Sequence, residues 1–158
     1  MLKSLNIENI AIIEKASAEF TAGLNILTGE TGAGKSILID SINAVTGEKT
    51  SRELIRTGED VASVSAFFEN ISDEVKNKLS ENGITCEDDG TLLLHRKLYR
   101  DGKNLCKVNG TTVTVSMLKN IGMSLINIHG QRDSQALLDS ERHIEFLDGF
   151  GGFGKEKQ

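Results

Sequence analysis

The chain has 158 residues, 38% of them hydrophobic and 26% charged, with a formal net charge of −5 at pH 7. At ~100–200 residues per domain this is one domain or a large part of one, of ordinary globular composition. The longest apolar runs fall far short of the ~20 residues that span a bilayer, and no basic start with an apolar stretch marks a secretory signal, so no membrane partner is expected. Cys86 and Cys106 stand twenty residues apart without CxxC spacing. That excludes a disulfide scaffold and a cysteine zinc site, and it fits a reducing cytosol. Proline is absent where ~5% usage would give about eight, so glycine and asparagine must make the turns. The acidic balance argues against a globally basic nucleic-acid binder but leaves room for a local basic patch.

Leu5 and Ile7 alternate with Ser4, Asn6 and Glu8, and Ala16, Ala18 and Phe20 with Lys15, Ser17 and Glu19, which predicts two strands. Residues 23–27 read as a third, short strand running into Thr28-Gly29. From Lys35 the period becomes helical, with Leu38, Ile42 and Val45 at i, i+4 and i+7 and Gly47 as the stop. Residues 48–60 read as a polar surface loop and 61–69 as a strand. Ser72 then caps a short helix with Asp73 and Glu74 in its first turn, Val75 and Leu79 facing inward and Gly83 at its end. Strands are predicted over 91–100 and 104–108, followed by a hairpin turn at Asn109-Gly110 into a strand over 111–114. A short helix near 116–121 precedes an apolar strand over 124–128, a polar turn over 129–133 and a last helix over 134–148. Leu137, Ile144 and Leu147 share one face of that helix, and the glycine-rich tail over 149–158 reads as a boundary.

Gly29-Glu30-Thr31-Gly32-Ala33-Gly34-Lys35-Ser36 matches G-x-x-x-x-G-K-[ST] at every fixed position, between an apolar strand and an amphipathic helix. Glycines let the backbone wrap a phosphate so that successive N–H groups point at its oxygens, and the following helix adds its positive end. Lys35 places a cation on the β- and γ-phosphates, and Ser36 supplies a hydroxyl to Mg²⁺. These residues predict nucleoside-triphosphate binding on an α/β P-loop fold.

The loop begins only after two strands, as in ATPases of the ABC and SMC type, which open with an antiparallel hairpin. A GTPase base-reading N-K-x-D string is missing, since Asn77-Lys78-Leu79-Ser80 lacks the acid, and Asp148-Gly149-Phe150-Gly151 falls in the glycine tail. No apolar strand ends in Asp-Glu and no L-S-G-G string occurs, so the chain holds part of a hydrolytic set. Two other readings stay open: a P-loop phosphotransferase with an acceptor other than water, and a non-hydrolysing, ATP-dependent interaction module.

The stretch from Phe20 to Asp40, together with Leu54-Ile55-Arg56-Thr57-Gly58, Val108-Asn109-Gly110, and Ile128-His129-Gly130-Gln131 leading to Gln135-Ala136-Leu137-Leu138, resembles the N-terminal ATPase segment of the bacterial RecN family of SMC-like DNA repair proteins. The resemblance runs to about Gly152. It implies an N-terminal lobe with a mixed β-sheet, an antiparallel β subdomain and flanking helices over residues 1–148, with 149–158 at the start of a coiled coil. It also implies ATP and Mg²⁺ as cofactors, and a C-terminal lobe of the same protein that carries the signature and Walker B motifs. A second head would join through ATP, in a cytoplasmic, nucleoid-associated protein acting on DNA double-strand breaks. Gln131 then takes the Q-loop place, its side-chain carbonyl approaching Mg²⁺ and the attacking water; without the resemblance it reads as a solvated turn residue.

His95, His129 and His143 are dispersed, which argues against a histidine metal site; His129 and Gln135 are left without a site role, a lone histidine more often making a structural hydrogen bond. Residues 95–107 hold His95, Arg96, Lys97, Arg100, Lys103 and Lys107 against Asp101 alone. This stretch reads either as a DNA contact or as a charged sheet face that guards against edge pairing. Strand alternation puts only some of these charges on one face. Arg52 and Arg56 read as exposed loop residues.

Overall fold

The computed structural model describes residues 1–28, 34–86, 89–126 and 128. The chain divides into two compact units, 1–126 and 127–158, and the described residues fall almost wholly in the first. Alternating apolar residues form β1 (Leu2–Ile10) and β2 (Ile13–Glu19), joined by a tight turn in which Ala11 takes a positive φ of 49°. Next come α1 (Gly34–Val45), a single 3-10 turn (Arg52–Leu54) and β3 (Val61–Phe68). They are followed by α2 (Asp73–Glu81), β4 (Leu92–Tyr99), β5 (Asn104–Val108), β6 (Thr111–Val113) and α3 (Val115–Gly122).

The six strands form one sheet in the order β2-β1-β3-β4-β5-β6, and every pairing is antiparallel. Because strand side chains alternate with a period of two, register fixes which residues share a face. Leu5, Ala66, Leu94 and Val108 make one row across the sheet, and Ile7, Val64, Arg96 and Cys106 make the next. All eight are buried. α1 packs on this face against β1, β3 and β4, and α3 against β5. Each large aliphatic side chain buried there contributes roughly 1.5–3 kcal/mol. Among the described residues no helix is long and apolar enough to cross a membrane.

The expected hairpin turn is present, with Asn109 at φ 46° and Gly110 at 80°, as a two-residue turn requires. Three segments differ from the sequence reading. Residues 23–27 pair with nothing among the described residues; the Asn25 side chain folds back on the Thr21 backbone, and Leu24 and Ile26 are 86% and 74% exposed. Residues 123–125 form a turn after α3, with Leu125 N–H and Ile126 N–H both donating to Gly122 O, where an apolar strand was expected. A strand exists only through its ladder, and apolar character alone does not supply one. The 48–60 segment is less exposed than its polarity suggests: Ile55 is buried and bridges Ile10.

The end of α1 and the end of α3 touch backbone to backbone. An added Cβ on Gly122 would collide with the Thr46 carbonyl oxygen, and one on Gly47, at φ +93°, with the Lys119 backbone nitrogen. Gly122→Ala is therefore expected to cost about 2 kcal/mol through overpacking. The check is a lowered urea midpoint at unchanged slope; an unchanged midpoint would show that the helices part freely.

Candidate functional site

Gly34, Lys35 and Ser36 form the first turn of α1, and all three are exposed. The first turn of any helix leaves backbone N–H groups unmatched. In α2 the Val75 N–H donates to Ser72 Oγ at 3.4 Å, with Asp73 and Glu74 beside it. In α3 the Met117 N–H donates to Thr114 Oγ1 at 3.1 Å. α1 differs: its first turn has no acid, and the preceding Ala33 has no side-chain oxygen. Among the described residues no side chain caps its first turn, so its N–H groups there and the positive end of the dipole suit an outside anion, beside one ammonium and one hydroxyl. This donor set fits a polyphosphate with a hard divalent cation, for which hydroxyl and phosphate oxygens are suitable ligands.

The structure brings Gly34, Lys35 and Ser36 together. Gly29, Glu30, Thr31, Gly32, Ala33 and Gln131, with His129 and Gln135, lie outside the described residues. α1 itself is held on one face by buried Ile37, Ser41, Ile42, Ala44 and Val45. The sequence pattern pointed to Leu38 on this face, but Leu38 is only half-buried and its neighbour Ile37 faces in. Ser41 Oγ donates to the Ile37 carbonyl at 2.7 Å, so its buried hydroxyl carries no penalty. The helix closes in a Schellman turn, with Gly47 N–H donating to Ala44 O at 3.1 Å and Glu48 N–H to Asn43 O at 2.9 Å.

The basic stretch over 95–107 does not form one patch. Arg96, on the same face as Leu94 and Leu98, is 3% exposed and points away from the surface. Parity with those leucines was the available signal, and it was masked by the charge of its neighbours. Arg100 Nε and Nη2 donate to Glu59 O at 2.9 and 2.7 Å, pinning the loop ahead of β3. Lys103 pairs with Asp101 at 2.9 Å. His95, Lys97 and Lys107 remain on the outer face, half-buried, with His95 directly opposite Lys107. Arg52 lies over Gly102, and Arg56 pairs with Glu14 at 3.5 Å.

The AAA domain family matches residues 4–148. The chain belongs to that family. Relatives of this AAA domain include the DNA repair protein RecN of Bacillus subtilis (strain 168), 43% identical over 96% of the chain and 26% of the relative's length. RecN of Halalkalibacterium halodurans is 44% identical over 96% of the chain and 27% of its own length. The chain therefore spans about a quarter of these relatives. Among solved structures, one from work on ATP-driven dimerization and DNA-stimulated activation of SMC ATPases has a TM-score of 0.67 at 23% identity, covering 93% of this chain and 98% of that one. The AAA domain thus has the ABC/SMC-type P-loop fold, with an antiparallel sheet and flanking helices.

On the outer face of this AAA domain His95 Nδ1 lies 2.7 Å from Ser65 Oγ. Burial, reinforced by Lys97 and Lys107, holds the imidazole below its ordinary value. The unfolded chain then binds more protons between that lowered value and about 6.5. Stability from this group is full above about pH 6.5 and is lost as pH falls through the folded value. Urea midpoints between about pH 5 and 7.5 are expected to fall more steeply with acid in the parent than in His95→Gln; parallel curves would contradict this.

Proposed function

We propose that this chain is the N-terminal lobe of an SMC-like, RecN-type ATPase head that binds Mg-ATP at the N-terminus of α1. The supporting observation is the acid-free, exposed first turn of α1, carrying Lys35 and Ser36 directly after the glycine loop. In this reading the backbone of Gly29, Glu30, Thr31, Gly32, Ala33 and Gly34 cradles the phosphates. Lys35 neutralises the β- and γ-oxygens, and Ser36 with Gln131 faces the metal and the attacking water. When bound, ATP supplies the phosphoryl group to be transferred and Mg²⁺ offsets its charge.

Residues 1–148 make the lobe and 149–158 lead toward a coiled coil. A C-terminal lobe would complete the site, in line with the greater length of the RecN relatives. Its place is suggested by Leu24 and Ile26, strand-type residues that lie exposed beside the phosphate end of α1 in sequence. A second head would then close over ATP, as ATP-driven dimerization is described for the related SMC ATPase. The RecN relative is named for DNA repair; in this reading the chain serves double-strand break repair in a cytoplasmic, nucleoid-associated protein. Lys97 and Lys107 are the outward cations suited to a DNA phosphate contact, whereas Arg96 is not.

Lys35→Ala is expected to weaken Mg-ATP binding about tenfold or more, the scale of a lost hydrogen bond to a charged group. Calorimetric titration measures it, with circular dichroism showing the fold intact. The chain by itself should turn ATP over negligibly. Unchanged affinity in Lys35→Ala would overturn the proposal.

A further inference from the structure

Arg96 is a cation in an otherwise apolar row between Val64 and Cys106. Among the described residues no carboxylate pairs with it. Its Nη1 donates to Ala44 O at 2.7 Å and Glu48 O at 2.8 Å, while Nε and Nη2 both donate to Asn104 Oδ1, at 3.1 and 3.0 Å. Ala44 O belongs to the last turn of α1, and Glu48 O to the loop just past Gly47. The charge is therefore balanced by the negative end of the α1 dipole and by one oriented amide.

An apolar side chain at this place would satisfy packing, as Leu94 and Leu98 do on the same strand. Replacing Arg96 by an apolar residue of similar volume keeps that packing but leaves Glu48 O and Asn104 Oδ1 without the guanidinium donors, which lowers stability. What an apolar residue cannot do is fix direction. A planar guanidinium bonded to a last-turn carbonyl of α1, to a carbonyl of the loop that follows it and to an amide on β5 sets both the height and the rotation of α1 relative to β4 and β5. α1 has 12 residues, hence a length of about 18 Å. A tilt of about 5° around its C-terminal end would move its N-terminal end by about 1.5 Å, enough to spoil donor geometry.

We propose that Arg96 is a positioning residue for the anion site at the opposite end of α1, holding Lys35 and Ser36 in register by clamping the helix terminus to Asn104 on β5. This rests on the reading of Lys35 and Ser36 as phosphate ligands. α3 grips the same terminus independently, through the Gly47 and Gly122 contacts and the 3.0 Å Lys119–Glu48 pair. Loss of Arg96 therefore loosens the aim of α1 without dismantling the fold.

The test compares Arg96→Met, Arg96→Lys, Asn104→Ala and Lys35→Ala in the intact protein, titrated with Mg-ATP and separately with inorganic tripolyphosphate. Arg96→Met is expected to weaken both ligands alike, about tenfold, in a protein that still unfolds cooperatively at a lowered urea midpoint. Arg96→Lys should recover part of that loss, and Asn104→Ala, which keeps the charge but frees the fork, should lose about threefold. If Lys35→Ala leaves binding unchanged, the phosphate reading itself fails. If Lys35→Ala weakens binding while a folded Arg96→Met does not, the positioning role fails. Should Arg96→Met fail to fold, parental affinity in both Arg96→Lys and Asn104→Ala overturns the role.

Discussion

A helix can offer its N-terminus to an anion only if something else holds the rest of it, because the turn that binds must stay unmatched by the protein's own side chains. In this chain that division runs along α1. The apolar face from Ile37 to Val45 lies on the sheet, and the Schellman turn at Gly47 closes the far end. Arg96 and α3 grip that end, and Gly34, Lys35 and Ser36 stand in solvent. The macrodipole links the two ends physically, with a buried guanidinium against the carbonyls and an exposed, acid-free first turn at the other terminus.

The sheet supplies the platform. Side-chain alternation gives it one largely apolar face, where Ala62, Ala66, Phe68 and Leu92 are buried, and α1 packs there on β1, β3 and β4. Glycines allow the remaining close approach, since Gly47 and Gly122 bring the ends of α1 and α3 into backbone contact that a methyl group would prevent. The outer face is mixed, with Ser65 against His95 and Glu8 accepting from Ser63 Oγ beside the apolar pair Phe67 and Leu93.

Local rules made much of this legible. Alternation placed β1 and β2, Ser72 marked the start of α2, Gly47 the end of α1, and Asn109-Gly110 the hairpin turn. Spacing alone singles out Lys35 and Ser36, which lie exposed in the first turn of α1. What escaped depended on partners distant in sequence. Residues 23–27 and 124–126 have strand composition, but a ladder needs neighbours that composition does not provide. Ile55 is buried because it bridges Ile10 across the molecule. Arg96 was grouped with its charged neighbours, although its acceptors, Ala44 O and Glu48 O, lie about fifty residues upstream.

The most direct measurement follows backbone amide resonances of isotopically labelled protein as Mg-ATP is added. If the N-terminus of α1 is the phosphate end, the Gly34, Lys35 and Ser36 amides shift most, while Asp73 and Glu74 in α2 and Val115 and Ser116 in α3 stay in place. Saturable binding that leaves the α1 amides unmoved, or that shifts another helix terminus instead, would contradict it.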